Sequence, residues 1–186
     1  LRYLVYTQFQ IPKQVDKLER YDIGGQLQLN DTARRNLELF ETVRERKQYG
    51  SLFWAIDRCG TAMGRRLLRR WLDRPLTSVP AIKERQEAVG YLKDNFIKRQ
   101  GLRDRLGATY DLERLAGKLD LGQGNARDLL SLAHSLNQID PIKDLLDDDE
   151  APALIQSLYK QLDPLEDLRE KITAALIDPA PLKITE

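Results

Sequence analysis

SLFWAIDRCGTAMGRRLLRRWLDRPL, residues 51–76, contains the strongest amphipathic helix pattern in the chain. Thr61 favours the start of a helix, because its hydroxyl can accept a hydrogen bond from a backbone N–H that lacks a partner in the first turn. Pro75 ends the helix, since the residue before a proline is driven out of the α region. Between them, apolar residues recur at steps of three and four and share one helical face. These residues are Met63, Leu67, Leu68, Trp71 and Leu72.

The opposite face of this helix carries four arginines, Arg65, Arg66, Arg69 and Arg70. Such a stripe can contact the phosphates of a nucleic-acid backbone. It can also be a solvated outer face or meet an acidic neighbour. In each case the apolar face predicts a core-facing helix, whose structural anchors are Met63, Leu67 and Trp71. If Trp71 is buried, replacing it with Ala costs about 3–5 kcal/mol of unfolding free energy.

Polar capping residues mark the helices that precede this one. Asn30 or Asp31 begins a helix that runs through Phe40, with Leu37 and Phe40 facing inward. Ser51 begins a short helix directly before the arginine helix.

The helix that follows the arginine helix has Pro80 in its first turn, where the missing N–H costs least. Ser78 begins this helix, and its apolar face consists of Ile82, Val89 and Leu92. Further helices are predicted at residues 96–106, 110–119, 125–139, 152–162 and 165–177, and the last is ended by Pro179 and Pro181.

Residues 17–29 show the only convincing β pattern. Tyr21, Ile23, Leu27 and Leu29 alternate with polar residues across Gly24-Gly25, a pair that supplies positive φ in a tight hairpin turn. A lone hairpin is marginal in water, so we expect it to pack on helices or pair with a strand elsewhere. Residues 1–8 are typical of a helix end. The predicted fold class is mainly α: a multihelical array of two small all-α subdomains, divided near residues 94–100, with a short β-hairpin near the N-terminus.

The composition describes a chain with locally opposed charge. Of 186 residues, 41% are hydrophobic and 32% are charged, and the net charge is +1, which argues against a uniformly basic nucleic-acid binder. Residues 57–74 nevertheless hold six Arg against two Asp, a local charge of +4. Residues 140–150 hold six acids against one Lys, a local charge of −5.

The sequence also indicates a location. The single cysteine, Cys59, allows no internal disulfide, so nothing suggests an oxidising compartment. There is no apolar run near the ~18 residues that a membrane helix needs. We therefore expect a soluble, cytoplasmic protein without membrane contact. Because the chain opens at Leu1 without an initiator Met, we expect it to be a piece of a longer protein.

Two residues could support a catalytic site. His134 is the only histidine, and a catalytic arrangement would combine it with Asp128 and with Ser131 or Ser135. No nucleophile elbow is present, and residues of one regular helix cannot easily surround a reacting atom. A structural or surface role is therefore the main interpretation of His134. Cys59 has neither a second cysteine nor a nearby histidine, which favours a bystander role.

Phosphate-binding and metal-binding motifs are weak. Residues 122–124, Gly-Gln-Gly, follow a helix rather than a strand and are most simply a helix end and turn. No G-x-x-x-x-G-K-[ST] motif occurs, so the chain carries no P-loop. The acids at residues 147–150 lack the spaced ligands and central glycine of a calcium loop and favour a solvated turn. We predict no catalytic, cofactor or metal site in this chain.

The chain resembles the core domain of the MutS family of DNA mismatch-repair ATPases along its whole length. Residues 61–76, with the Leu67-Leu68 pair, Trp71-Leu72 and the closing Pro75-Leu76, are similar to the signature of that domain. Other segments that carry the resemblance are LVYTQ at 4–8, LQLNDTARRNLEL at 27–39, IKERQEAV at 82–89, DLERL at 111–115, Arg-Asp-Leu at 127–129 and the ending at 175–182. Three positions depart from the pattern, Ala33, Gln123 and Ala126.

By this resemblance, residues 1–186 are the first segment of the core, or lever, domain, before the clamp insertion. The family's clamp, ATPase, connector and mismatch-binding domains have no counterpart here, and Phe9 and Phe53 should not be mistaken for the mismatch-reading Phe. The resemblance implies a structural lever that couples the nucleotide state of an ATPase domain to clamp position on DNA. The alternatives are a helical interaction scaffold unrelated to DNA and a helical enzyme that uses His134 or Cys59.

The parent protein that the resemblance implies is a DNA-dependent ATPase that binds ATP and Mg²⁺. Its partners would be the other domains of the same chain, mismatched double-stranded DNA, a second copy in a homodimer and further mismatch-repair proteins. In a bacterium it would be associated with the nucleoid.

Overall fold

The computed structural model describes residues 25–177 and 179–180, which form helices joined by loops, among them the long loop at residues 37–51. The predicted mainly α fold class is therefore confirmed. The helix end predicted at residues 1–8, the first arm of the hairpin predicted within residues 17–29 and Pro181 lie outside the described residues. In chain order the helices are α1 (Asp31–Asn36), α2 (Leu52–Ile56), α3 (Ala62–Asp73), α4 (Val79–Asp94), α5 (Phe96–Gly107), α6 (Leu112–Asp120), α7 (Ala126–Leu136), α8 (Ile139–Leu146), α9 (Ala153–Gln161) and α10 (Glu166–Ala175).

The described end of the predicted hairpin pairs with a distant segment. Gln26 forms an isolated antiparallel bridge with Leu76. Two backbone hydrogen bonds flank this bridge, from Leu27 N–H to the Pro75 carbonyl at 2.7 Å and from Thr77 N–H to the Gly25 carbonyl at 2.9 Å. The hairpin itself is not shown. Instead, the chain that enters α1 is joined to the chain that leaves α3.

The predicted capping residues of α1, α2 and α3 are confirmed. Each side chain accepts a hydrogen bond from the backbone N–H three residues later, at 2.7 Å for Asn30, 3.2 Å for Ser51 and 3.0 Å for Thr61. Ser78 precedes α4 without such a bond, and Pro80 lies in the first turn of that helix. Local side-chain chemistry therefore sets where most of the early helices begin.

α1 ends earlier than predicted, because Glu38 adopts a left-handed backbone conformation with φ +47°. This turn leaves Leu37 58% exposed and buries Leu39 instead, so the predicted inward position of Leu37 is wrong. The carbonyls of Glu38 and Leu39 then accept hydrogen bonds from Leu52 and Phe53, at the start of α2. These bonds satisfy N–H groups that have no partner inside the helix.

The main core lies among α4, α5, α8 and α9. Its buried members are Ala88, Leu102, Ile142, Leu146, Ala151 and Ile155. α4 and α5 lie on either side of the boundary predicted near residues 94–100 and share this core, while the division into two subdomains stays a prediction. Val89 is 63% exposed, which contradicts its predicted place on the apolar face of α4. The neighbouring Ala88 occupies the buried face.

α8 was not predicted, and the helix predicted at residues 125–139 is in fact divided between α7 and the start of α8. α7 ends at Leu136, and α8 buries Ile142 and Leu146. Pro141 lies in the first turn of α8, where a proline is tolerated. The apolar residues of α8 are three to four positions apart, as in other amphipathic helices. Pro141 and the neighbouring acidic residues nevertheless made this segment resemble a loop.

α7 packs against both α6 and α10. The buried side chains of this group are Leu115, Ala133, Leu136 and Ile172. Asn125 and Asp128 begin α7 with reciprocal hydrogen bonds between each side chain and the other backbone N–H, at 3.0 and 2.9 Å. Each helix of this second group therefore carries at least one buried apolar residue.

Candidate functional site

α3 carries all four arginines predicted as nucleic-acid contacts and all three predicted anchors. Its first turn is fixed by Thr61, whose hydroxyl accepts from the Gly64 N–H. A Cβ added at Gly64 would lie 3.0 Å from that hydroxyl oxygen, so the glycine leaves room for the cap. The position of the arginine stripe therefore depends on a local cap as well as on packing.

Arg65 is engaged with the end of α2. Its Nε atom lies 2.8 Å from Oδ2 of Asp57, the residue directly after that helix. The Arg65 guanidinium also lies 5.5 Å from the centre of the Phe53 ring. Arg65 thus contacts a neighbouring helix through both charge and aromatic surface.

Arg66 connects α3 to α6. Its Nη1 and Nη2 atoms donate to the two carboxylate oxygens of Asp111 at 2.7 and 2.8 Å, and its Nε donates to Glu113 at 2.8 Å. The ion pair lowers the pKa of Asp111 to about 2 and raises the pKa of the Arg66 guanidinium. Paired, parallel N–H donors make this the geometry that arginine forms best with carboxylates.

Arg69 lies on an aromatic pair. Its guanidinium carbon is 4.1 Å from the centre of the Phe40 ring and 5.9 Å from that of Phe53. The two rings meet edge to face at 6.0 Å. Arg70 differs from the other three arginines, because its exposed side chain makes no ion pair, hydrogen bond or ring contact with any described residue.

An open groove of about 690 Å³ runs beside α3. Phe40, Asp73 and five arginines line it: Arg34, Arg66, Arg69, Arg70 and Arg74. Arg34 comes from α1, and its Nε atom lies 2.9 Å from Oδ1 of Asp73. A smaller groove of about 450 Å³ adjoins this one, shares Arg34, Phe40 and Arg69, and adds Arg35 and Arg46.

Only part of this basic surface was predicted from the sequence. Arg66, Arg69 and Arg70 were predicted as nucleic-acid contacts, whereas the adjacent arginines at residues 34–35, in the LQLNDTARRNLEL segment, were not. Their proximity to α3 follows from the bridge between Gln26 and Leu76, which the sequence pattern does not specify. Arg65 does not line either groove.

Two of the three predicted anchors on the apolar face of α3 are more exposed than expected for core residues. Met63 is half-buried, whereas Leu67 is 43% exposed and Trp71 is 38% exposed. The Trp71 ring packs under the guanidinium of Arg85 from α4 at 3.9 Å. The anchor role of these residues stays a prediction.

The side chains around His134 serve structural roles. Ser135 is fully buried, donates to the Ser131 carbonyl at 2.8 Å and accepts from the Tyr110 N–H at 2.9 Å. Asp128 accepts from Lys118 at 2.6 Å, which lowers the pKa of its carboxyl. The exposed His134 lies edge-on to the Tyr110 ring at 5.8 Å. Ser131 donates its hydroxyl to the Arg127 carbonyl at 2.8 Å, so the hydroxyl protons of both serines are directed to backbone carbonyls rather than to His134.

Cys59 lies exposed between α2 and α3. Partial burial and a hydrogen bond to Asp57 raise the pKa of its thiol, which lowers the thiolate fraction at neutral pH. In the part of the chain that the structure describes, no three metal-ligating side chains cluster and no helix is long and apolar enough to cross a membrane.

One residue of the acidic run is more than a solvated charge. Asp148 is half-buried and accepts from Lys98 at 2.6 Å and from the Tyr91 hydroxyl. These two donors lower the pKa of Asp148 to about 2. The solvated-turn interpretation of residues 147–150 is therefore wrong for Asp148, which connects α4 and α5 to the loop after α8.

Two comparisons, one with protein-family models and one with known proteins, find sequences similar to this chain. Residues 32–186 match the family model described as MutS domain III. The chain is 42% identical over 186 residues to the DNA mismatch repair protein MutS of Acetivibrio thermocellus, and the match covers 100% of this chain and 21% of that protein. The corresponding protein of Streptococcus thermophilus is 40% identical over 186 residues, covering 100% of this chain and 22% of that protein. The DNA mismatch repair protein MutS of Lactobacillus johnsonii is 41% identical over 184 residues, and the match covers 99% of this chain and 21% of that protein. The chain spans about a fifth of the length of these relatives.

Proposed function

Because the chain belongs to the MutS family of DNA mismatch repair proteins, as a segment of domain III, we propose that it is a rigid lever within a longer mismatch-recognition ATPase. In that role it transmits the nucleotide state of the ATPase domain to the clamp that holds DNA. The segment itself performs no catalysis.

The observation that carries the proposal is the ion pair of Arg66 with Asp111 and Glu113. It joins α3 to the first turn of α6, a helix of the second packed group. Arg65 with Asp57 and Arg34 with Asp73 add ion pairs to α2 and α1. A helix held on several sides moves together with its neighbours, because a packed interior deforms poorly and responds as a rigid body.

The proposal extends to the parent protein. ATP and Mg²⁺ would be bound by its ATPase domain, since this chain contains no P-loop motif. Its partners would be the clamp, connector and ATPase domains, mismatched double-stranded DNA, a second copy in a homodimer and other repair proteins. Its location would be cytoplasmic, at the nucleoid of a bacterium. Family membership does not favour the alternative of a helical scaffold unrelated to DNA.

The test uses the intact family protein that contains this chain. Clamp movement on ATP addition is followed by fluorescence transfer between dyes on the clamp and on the ATPase domain. In Arg66→Gln we expect unchanged ATP affinity and a reduced or delayed clamp movement. Arg105→Gln on α5 removes the same charge from an exposed site that makes no ion pair with a described residue, and it should behave as wild type. Wild-type clamp movement in the Arg66 variant would contradict the lever.

A further inference from the structure

We propose that the basic groove between α1 and α3 binds the sugar–phosphate backbone of duplex DNA, with Arg35, Arg69 and Arg70 as its contacts. The lever needs no direct contact with DNA, so this inference goes beyond it. It rests on the proposed function only for the choice of DNA as the polyanion.

The charge of the two adjoining grooves is the first argument. Among the described residues, together they are lined by seven arginines and by three acids, Asp31, Glu41 and Asp73. The chain as a whole has a net charge of only +1. Positive charge is therefore concentrated on one open surface, as expected of a surface that neutralises phosphates.

The identity of the cations is the second argument. In the part of the chain that the structure describes, every cation that lines the two grooves is an arginine. The guanidinium fork donates two parallel hydrogen bonds to a phosphate, whereas an ammonium acts as a point charge. The guanidinium carbon of Arg69 lies 4.1 Å from the centre of the Phe40 ring. This ring contact already restricts the side chain before a ligand arrives.

Only some of these arginines are free of acidic partners among the described residues and so available to bind phosphate. Arg66 is occupied by Asp111 and Glu113, and Arg65 is occupied by Asp57 outside the groove. Arg70 and Arg35 are exposed and make no ion pair with any residue in 25–177 or 179–180. In the α3 stripe, Arg65 and Arg66 thus hold the helix to its neighbours, whereas Arg69 and Arg70 line the groove without an ion pair to a described residue.

The grooves fit a phosphate backbone better than an acidic peptide. Protein partners are anchored mainly by side chains buried in pockets at the centre of an interface. Phe40 is the one aromatic residue lining these grooves within residues 25–177 and 179–180, and the Arg69 guanidinium already lies over its ring. A row of forked donors over an open surface instead suits a repeating chain of phosphates.

The test measures binding of the 186-residue chain to a fully paired 30-base-pair duplex by fluorescence anisotropy, from 50 to 200 mM salt. We expect Arg70→Gln to reduce the magnitude of the slope of log K against log salt by about 0.9, the change for one lost phosphate contact. The double variant Arg35→Gln/Arg70→Gln should reduce it by about twice that amount. The matched control Arg105→Gln should keep the original slope. A duplex with one mismatch should bind equally well, since backbone contacts do not read sequence. Circular dichroism and thermal unfolding verify that each variant folds as the parent chain does.

Three results would overturn the proposal. The first is the absence of duplex binding at 50 mM salt by a chain with the expected helical spectrum. The second is an equal change of slope in the Arg70 and Arg105 variants, which indicates diffuse charge. The third is displacement of the duplex by a polyglutamate peptide of equal charge at equal concentration, which indicates an acidic protein ligand. None of these results bears on clamp movement in Arg66→Gln, so the two proposals fail separately.

Discussion

Arg66 and Asp111 lie 45 residues apart in sequence and form a two-pronged ion pair, with N–O distances of 2.7 and 2.8 Å. Asp111 also begins α6, because its Oδ1 accepts the Arg114 N–H at 3.2 Å. One carboxylate therefore caps one helix and holds another. Together with the contact of Arg66 to Glu113, this carboxylate connects α3 to the start of α6.

The first prediction concerns the planar fork of Arg66. Arg66→Lys keeps the charge but cannot form both parallel bonds, and Arg66→Gln loses the charge as well. We expect the midpoint of urea unfolding to fall in the order wild type, Arg66→Lys, Arg66→Gln, with Arg105→Gln equal to wild type. Equal midpoints for the Lys variant and wild type would show that charge alone, without the paired geometry, holds α3 to α6.

The second prediction concerns acid stability. The pKa of Asp148 is about 2, below its ordinary 3.8, because the Lys98 ammonium and the Tyr91 hydroxyl bind the charged form. Stabilisation from a lowered carboxyl pKa is complete above about pH 4 and is lost as the pH falls toward 2. Thermal unfolding from pH 5 to pH 2 should therefore show a shallower decline of Tm in Asp148→Asn than in wild type.

Asp149→Asn is the matched control for this prediction, because Asp149 is the exposed neighbour of Asp148 and its side chain makes no ion pair with a described residue. Its Tm should decline with pH as that of wild type does. Parallel curves for wild type and both variants would remove Asp148 from the acid transition.

The third prediction concerns the start of α3. Thr61→Ala should lower the free energy of unfolding by about 1 kcal/mol, as expected for loss of an N-cap, whereas Thr61→Ser should keep most of it. Gly64→Ala places a methyl group 3.0 Å from the Thr61 hydroxyl oxygen and should also destabilise the chain, although alanine favours helices. A stabilised Gly64→Ala variant in urea unfolding would mean that the cap adjusts freely.

The fourth prediction separates the core from the surface. Ile155 is 3% exposed, and Ile155→Ala should cost about 2–5 kcal/mol because it removes buried methyl groups and leaves a cavity. Ile97 is 83% exposed, and Ile97→Ala should change the unfolding free energy by less than about 0.5 kcal/mol. Similar losses at both positions in urea unfolding would place the core elsewhere.

The fifth prediction concerns Trp71. Its ring is 38% exposed and stacked with Arg85, so Trp71→Ala should cost about 1–2 kcal/mol, below the ~3–5 kcal/mol of a buried tryptophan. Denaturant unfolding of Trp71→Ala measures the loss, and Arg85→Ala measures the share of the stacking. A loss above 3 kcal/mol would mean that the ring is a core anchor, as the sequence pattern predicts.

Local chemistry explains why much of the helical fold was predictable. Asn30, Ser51 and Thr61 act within three residues of their own position, so the sequence alone places the helices that they begin. The apolar spacing likewise predicts α5, α9 and α10 to within two residues at each end. The fold class follows from these local signals.

The features that escaped prediction depend on distant contacts or on unusual backbone. Leu37 points outward because Glu38, which is not a glycine, takes a left-handed conformation. Arg34 reaches the basic groove because strand-like pairing at Gln26 and Leu76 folds α1 back toward α3. Neither the partner of Arg66 nor the exposure of Trp71 can be derived from amphipathic periodicity, which defines a face but not what lies against it.

The bridge between Gln26 and Leu76 has a consequence for how this region opens. Residues 26–76 form a ring of chain whose two ends are fastened to each other, so α1, α2 and α3 lie within one closed circuit. The amide hydrogens of Leu27 and Thr77, which close that circuit, should show equal protection factors in hydrogen exchange, because one opening event releases both. These two protons therefore report when the whole ring releases, even if every helix inside it stays folded.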